Sequence, residues 1–130
     1  MREYKGRINK KISIRLVGDA QISFEKLNQR VGEQKQKGVL SSKDITLLQA
    51  IERIVELLSH NPFYGENAKK QLIPKSYKDA YDVTNIFIVD LPDYWRLIYT
   101  LESDEVEIIA FVLDIFDHSA YDKKFNFKKK

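Results

Sequence analysis

Two residues of this chain are suited to chemistry on an anionic group, and each interrupts the pattern around it. Arg96 lies within Asp93-Tyr94-Trp95-Arg96-Leu97-Ile98-Tyr99, a run that otherwise reads as a β-strand. Its guanidinium stays charged, and its planar fork matches a carboxylate or a phosphate with two parallel N–H donors. His118, one of two histidines, falls in Asp117-His118-Ser119-Ala120-Tyr121, where a long apolar run stops. An imidazole, with a reference pKa of about 6.5, gives or takes a proton near neutrality. One residue to hold charge and one to move a proton could act on a phosphate ester. Plainer uses stand beside that one: Arg96 paired across the sheet with Asp90 or Asp114, and His118 capping a turn or paired with Asp117.

The elements that must position these residues follow from periodicity. Lys11 to Leu16 alternates polar and apolar, with Ile12, Ile14 and Leu16 on one side, as in a half-buried strand. From Asp19, a candidate N-cap, Phe24, Leu27 and Val31 recur at helical spacing up to a stop near Gly38. Ser41-x-x-Asp44 reads as a capping box, followed by the apolar stripe Ile45, Leu48, Ile51, Val55 and Leu58, which ends at Asn61-Pro62. Residues 63–83, with Gly65, Pro74 and mixed polarity, read as an irregular connection. Three apolar runs then form a meander, Asn85 to Val89, Tyr94 to Leu101 and Val106 to Ile115, separated by turn-rich Asp-Leu-Pro-Asp and Glu-Ser-Asp-Glu. The tail from Ser119 returns over the sheet as a turn of helix or an added edge. The expected fold is therefore α+β: one domain over 1–130, with an N-terminal strand and two helices on a mainly antiparallel four-stranded sheet.

A hairpin turning at Ser103-Asp104 sets residue 96 opposite 111, and opposed residues share a face. Trp95, Leu97, Tyr99, Leu101, Val106, Ile108, Ala110 and Val112 then face the helices. Tyr94, Arg96, Ile98, Thr100, Ile109, Phe111 and Leu113 take the other side, so Arg96 looks away from the helices towards a free face.

Composition bounds the rest. At 130 residues with 43% hydrophobic content the chain can bury a core, and no apolar run approaches the roughly 18 residues that cross a bilayer. The absence of cysteine excludes disulfides and thiolate metal sites, and the charged start lacks the apolar stretch of a secretory signal, so a cytoplasmic protein is expected. The net charge of +3 is uneven: residues 1–38 hold ten Lys/Arg against four Asp/Glu, and residues 84–130 hold six against nine. The basic ends suit a polyanionic partner or form a solvated surface. His60, at a helix end, is explained by the helix dipole. Phe63, Tyr64, Tyr77 and Tyr81 among lysines could stack bases or pack a long loop. Asp114 should face the helices, so it would not join Asp117 and His118 around a metal; neither metal nor cofactor is expected.

The order of strand, two helices, three antiparallel strands and short tail, together with Tyr-Trp-Arg-Leu-Ile-Tyr in the middle strand and a last strand ending in Asp-His-Ser-Ala-Tyr, resembles the RelE/ParE toxin superfamily of type II toxin–antitoxin modules. The resemblance covers about residues 11 to 127. It implies a small α+β fold whose free sheet face is the working surface, and a cognate antitoxin as partner. In the RelE branch that surface cleaves mRNA on the ribosome without metal; in the ParE branch the scaffold inhibits DNA gyrase. Carried over, Arg96 matches the sheet arginine that contacts the scissile phosphate, His118 a histidine after the last strand, and Tyr121 a C-terminal aromatic that stacks on a base or aids proton transfer. The strand Asn85-Ile-Phe-Ile-Val-Asp90 lacks the lysines that RelE-type members often carry. The nearest replacements for RNA binding are Lys69, Lys70, Lys75 and Lys78 in the connection and Lys123 and Lys124 in the tail. Residues 90–122 hold nine acids against the single Arg96.

Overall fold

The computed structural model describes residues 10–125. Strand β1 (Lys11–Leu16) opens the chain and is followed by helices α1 (Gly18–Gln36) and α2 (Lys43–His60). Helix α1 stops where Gly38 takes a left-handed φ of 84° that a β-carbon would strain. The cap of α2 is Ser42, one residue beyond the expected Ser41, and its hydroxyl accepts the Ile45 N–H at 3.1 Å. Asp44 in the first turn pairs with Arg30 at 3.2 Å, which ties the two helices together. Arg30 is also the main reason that the Asp44 carboxyl sits below the usual range.

The connection expected to be irregular carries a short strand β2 (Glu66–Asn67), a 3-10 turn (Lys70–Leu72) and a helix α3 (Lys75–Tyr81). The meander follows as β3 (Phe87–Leu91), β4 (Trp95–Ser103) and β5 (Glu107–Phe116), and the tail forms helix α4 (His118–Phe125). The fold is α+β as expected, but the sheet has five strands, not four, in the order β1-β5-β4-β3-β2. It is mixed: β1 runs parallel to β5, while the other pairs are antiparallel. The parallel pair arises because α1 and α2 carry the chain away from β1 and the meander returns β5 beside it.

The apolar stripe of α2 packs with Leu27 and Val31 of α1 on the face presented by Val89, Leu97, Tyr99, Ala110 and Val112. The opposite face is not free. Helices α3 and α4 close over Ile98 and Leu113 with Tyr77, Tyr121 and Phe125, forming a second core that includes Ile86 and Val83. Each of these large side chains removes on the order of 2 kcal/mol of apolar surface from water, which is what holds two such short helices.

Two register details differ from expectation. Thr100 pairs with Phe111 and Ser103 with Ile108, so the turn lies at Asp104–Val106 and exposed Val106 belongs to it. Asp104 builds that turn by accepting the N–H groups of Val106 and Glu107, both at 2.9 Å. The pairing is displaced by an even number of residues, so the face assignments of the paired residues through Leu113 survive, while Val106, expected against the helices, is exposed in the turn. Beyond that point a β-bulge intervenes: Tyr99 faces Val112 but Ile98 faces Asp114, leaving Leu113 as the extra residue. Leu113 and Asp114 therefore both point to the second layer. This corrects the expectation that Asp114 faces α1 and α2.

Candidate functional site

Arg96 lies on the side of the sheet away from α1 and α2, opposite Asp90 on β3 and Phe116 on β5. Its Nε is 3.1 Å from Asp90 Oδ1, and its Nη1 donates to the Trp95 carbonyl at 3.2 Å. The guanidinium carbon stands 5.2 Å from the centroid of the Tyr121 ring, within cation–π range. The pairing with Asp90 is one of the two plain uses named for Arg96; the other, with Asp114, does not occur. The Arg96 side chain is 19% exposed and that of Asp90 82%.

Tyr121 reaches this position because α4 begins immediately after β5. Asp117 starts the helix by accepting the Ala120 N–H at 2.9 Å, the role of an N-cap. The helix then folds Tyr121 and Phe125, one turn apart, onto the sheet. Tyr121 is 8% exposed and packs against Phe116 and Phe125, with ring centroids 6.1 and 4.8 Å away. Burial pushes its hydroxyl above the ordinary tyrosine range; Arg96 opposes the shift, and Asp90, Glu66 and Asp122 reinforce it. A ring so enclosed supports Arg96 and has no free face for a base.

His118, first residue of α4, lies three positions before Tyr121 and is 57% exposed. Its Nε2 is 3.1 Å from Asp122 Oδ2, one helical turn on. Asp117, the acid with which it was expected to pair, instead caps the helix. The imidazole also meets the Tyr94 ring, centroids 6.0 Å apart. Tyr94 is 71% exposed, and both it and Asp93 hold φ near 63° in the Pro92–Tyr94 turn that leads into β4. A left-handed tyrosine is uncommon and costs on the order of 1–3 kcal/mol. Lys43 at the start of α2 reaches Asp93 at 3.7 Å across this turn.

Tyr94 and Asp122 are the residues that sequence reasoning missed. The spacing of four between His118 and Asp122 is a helical signal, usable only once the tail is known to be a helix. For Tyr94 the Pro-Asp turn hinted at irregular backbone but not at which ring it would expose.

The lysines are more dispersed. Lys69 and Lys70 lie exposed at the 3-10 turn, and Lys75 and Lys78 lie exposed on α3, with Lys75 bound to Asp79 at 2.8 Å. Lys123 is exposed in the last turn of α4. Lys124 turns inward: its ammonium lies 3.9 Å from Asp114 and 5.0 Å from the Tyr77 ring centroid. The same Asp114 carboxylate accepts the Tyr77 hydroxyl at 2.7 Å, so both helices of the second layer are fastened to one buried acid. Burial holds the Asp114 carboxyl above its ordinary range against the opposing effects of Tyr77 and Lys124, while Asp19 adds to the rise.

A cleft of about 550 Å³ between the start of α2 and the Pro92–Trp95 turn is lined by Ser42, Lys43, Thr46, Pro92 and Trp95. A cavity of about 160 Å³ lies among Val17, Tyr81, Thr100, Phe111 and Leu113. Neither contains Arg96, His118 or Tyr121. Among the described residues no three His, Asp or Glu side chains converge as metal ligands, and no helix is long and apolar enough to cross a membrane. Comparison of the chain with family models, curated proteins and solved structures returns no match.

Proposed function

We propose that this protein is a RelE-like toxin of a type II toxin–antitoxin module, a metal-independent mRNA endoribonuclease that works on the ribosome in the cytoplasm and is held by a cognate antitoxin. The observation that carries the reading is the contact between the Arg96 guanidinium and Tyr121, with His118 riding the same helix one turn earlier. It joins a charge-holding group, its support and an exposed acid–base group at one end of the sheet.

In the proposed reaction the RNA 2′-hydroxyl gives its proton to water and its oxygen attacks the adjacent phosphorus, the P–O5′ bond breaks, and a 2′,3′-cyclic phosphate and a 5′-hydroxyl result. Arg96 holds the charge that grows on the phosphoryl oxygens, where a fixed, partly buried cation is worth most. His118, oriented by Asp122, gives its proton to the departing 5′-oxygen. Tyr94, exposed beside His118, offers the ring face on which a base stacks, the part first expected of Tyr121. Lys69, Lys70, Lys75, Lys78 and Lys123 supply backbone contacts. Lys124 is committed to Asp114.

A second reading has its own support. Asp90, Glu66 and Asp122 all act on the Tyr121 hydroxyl beside Arg96, a field that repels phosphate, and α3 and α4 cover the face on which RNA would lie. These features favour a ParE-like inhibitor of a protein such as gyrase, or a non-catalytic relative. Induced expression followed by primer extension on cellular mRNA, with a gyrase supercoiling assay in parallel, separates the two. Discrete mRNA cuts that vanish in Arg96→Ala support the ribonuclease; intact mRNA with blocked supercoiling supports the inhibitor.

A further inference from the structure

Arg96 and its counter-ion are held very differently. The guanidinium is fixed by two contacts, the Tyr121 ring beneath it and the Trp95 carbonyl, and is only 19% exposed. The Asp90 side chain is 82% exposed, and among the described residues its carboxylate has no hydrogen-bond donor beyond this ion pair. It lies on β3 beyond the two residues, Phe87 and Ile88, that β2 covers, so no neighbouring strand confines it on that side. The cation is built in, and the carboxylate leaning on it is free to turn into water.

We propose that Asp90 is a displaceable occupant of an anion site centred on Arg96, so that a phosphodiester enters by exchange for the Asp90 carboxylate. The inference rests on the reading of Arg96 as a phosphate clamp, and it assigns to Asp90 a role that reading does not require: it sets the threshold for binding. With the carboxylate in place the site is electrically satisfied and holds weak anions poorly. A polyanion, delivering several phosphates at once, outcompetes a single tethered carboxylate. Asp90 thus selects for polymers over free phosphate.

The test uses a single-stranded DNA oligonucleotide, which lacks the 2′-hydroxyl and cannot be cleaved by the proposed reaction, so binding is measured apart from turnover. Affinities are compared for the parent, Asp90→Asn, Arg96→Ala and the double variant at low salt, with circular dichroism as folding control. Asn preserves the shape of an exposed side chain, so the fold should persist. Asp90→Asn should tighten binding about two- to five-fold, the range expected for loss of one competing exposed partner, and the gain should shrink as salt rises. In the Arg96→Ala background the gain should disappear. Inorganic phosphate, a poor competitor against the parent, should compete better against Asp90→Asn. An equal gain with and without Arg96 would reduce Asp90 to one surface charge among many and overturn the inference; so would unchanged or weaker binding by Asp90→Asn, or no binding by any variant. Exchange at Arg96 in a protein that cuts no mRNA would uphold the inference and remove the ribonuclease reading, so the two fail separately.

Discussion

Replacing Arg96 tests the proposed chemistry most directly, because the structure lets its folding cost be separated from its catalytic cost. Arg96→Ala removes an ion pair whose acid is mostly in water, worth at most about 1 kcal/mol. It also removes a cation–π contact at 5.2 Å with a buried ring, worth about 0.5–2 kcal/mol. The stability loss should therefore be roughly 1–3 kcal/mol, read as a lowered melting temperature with an unchanged circular dichroism spectrum. The rate loss should be larger. A fixed donor aimed at transition-state charge is worth about 10²- to 10³-fold, or about 2.7–4 kcal/mol. Arg96→Lys keeps the charge but loses the fork, so it should recover only part of the rate and most of the stability. The assay is single-turnover cleavage of an RNA substrate on ribosomes beside thermal melts of the same preparations. If folded Arg96→Ala cleaves at the parental rate, the assignment of Arg96 as a phosphate clamp is wrong.

Three further outcomes are expected. His118→Ala should slow cleavage by about 10²- to 10⁴-fold, while Asp122→Asn, which only disturbs imidazole orientation, should cost less and alter the pH–rate profile; parental cleavage in His118→Ala would remove the histidine from the mechanism. Tyr94→Ala should weaken single-stranded oligonucleotide binding by about 5- to 150-fold and Tyr94→Phe should not, as titrations of both would show; equal losses would point to the hydroxyl and away from stacking. For Asp114 the folded-state pKa is raised above its ordinary 3.8, so its favourable contribution is complete below that value and is lost as pH rises through the folded pKa. Asp114→Asn, which keeps an acceptor for Tyr77, should gain melting temperature relative to the parent most at neutral pH and least near pH 4; a pH-independent difference would contradict the raised pKa.

The parts of the fold legible in the sequence were those that local periodicity dictates. The stripe from Ile45 to Leu58 announced α2, and the alternation of Trp95, Leu97 and Tyr99 with Arg96 and Ile98 announced which side of β4 each would take. Helix α3 was missed although Ile73, Tyr77 and Tyr81 recur at intervals of four and Pro74 precedes the first turn, a start signal outweighed by the surrounding polar residues. The parallel partner of β1 lies nearly a hundred residues away, beyond any local pattern. The bulge at Leu113 has no signature in Val-Leu-Asp-Ile-Phe, where either pleat accommodates an apolar residue. Of the candidate site, Arg96 and His118 could be nominated by type and Tyr121 by resemblance, but that Tyr121 is enclosed and Tyr94 exposed depends on burial. Burial follows from where α4 folds back.

The extra residue in β5 gives that strand two phases. Ala110 and Val112 meet α1 and α2 on even positions, whereas Ile115 meets them on an odd one. Everything after Leu113 is read in the second phase, including the carboxylate that fastens the outer helices and the point at which α4 departs. Were β5 at its present length paired without the bulge, Asp114 would fall opposite Leu97 and turn towards the larger core, and α4 would leave from the opposite pleat, carrying His118 and Tyr121 away from Arg96. The alignment of the three residues is thus a matter of where the strand bulges as much as of chemistry.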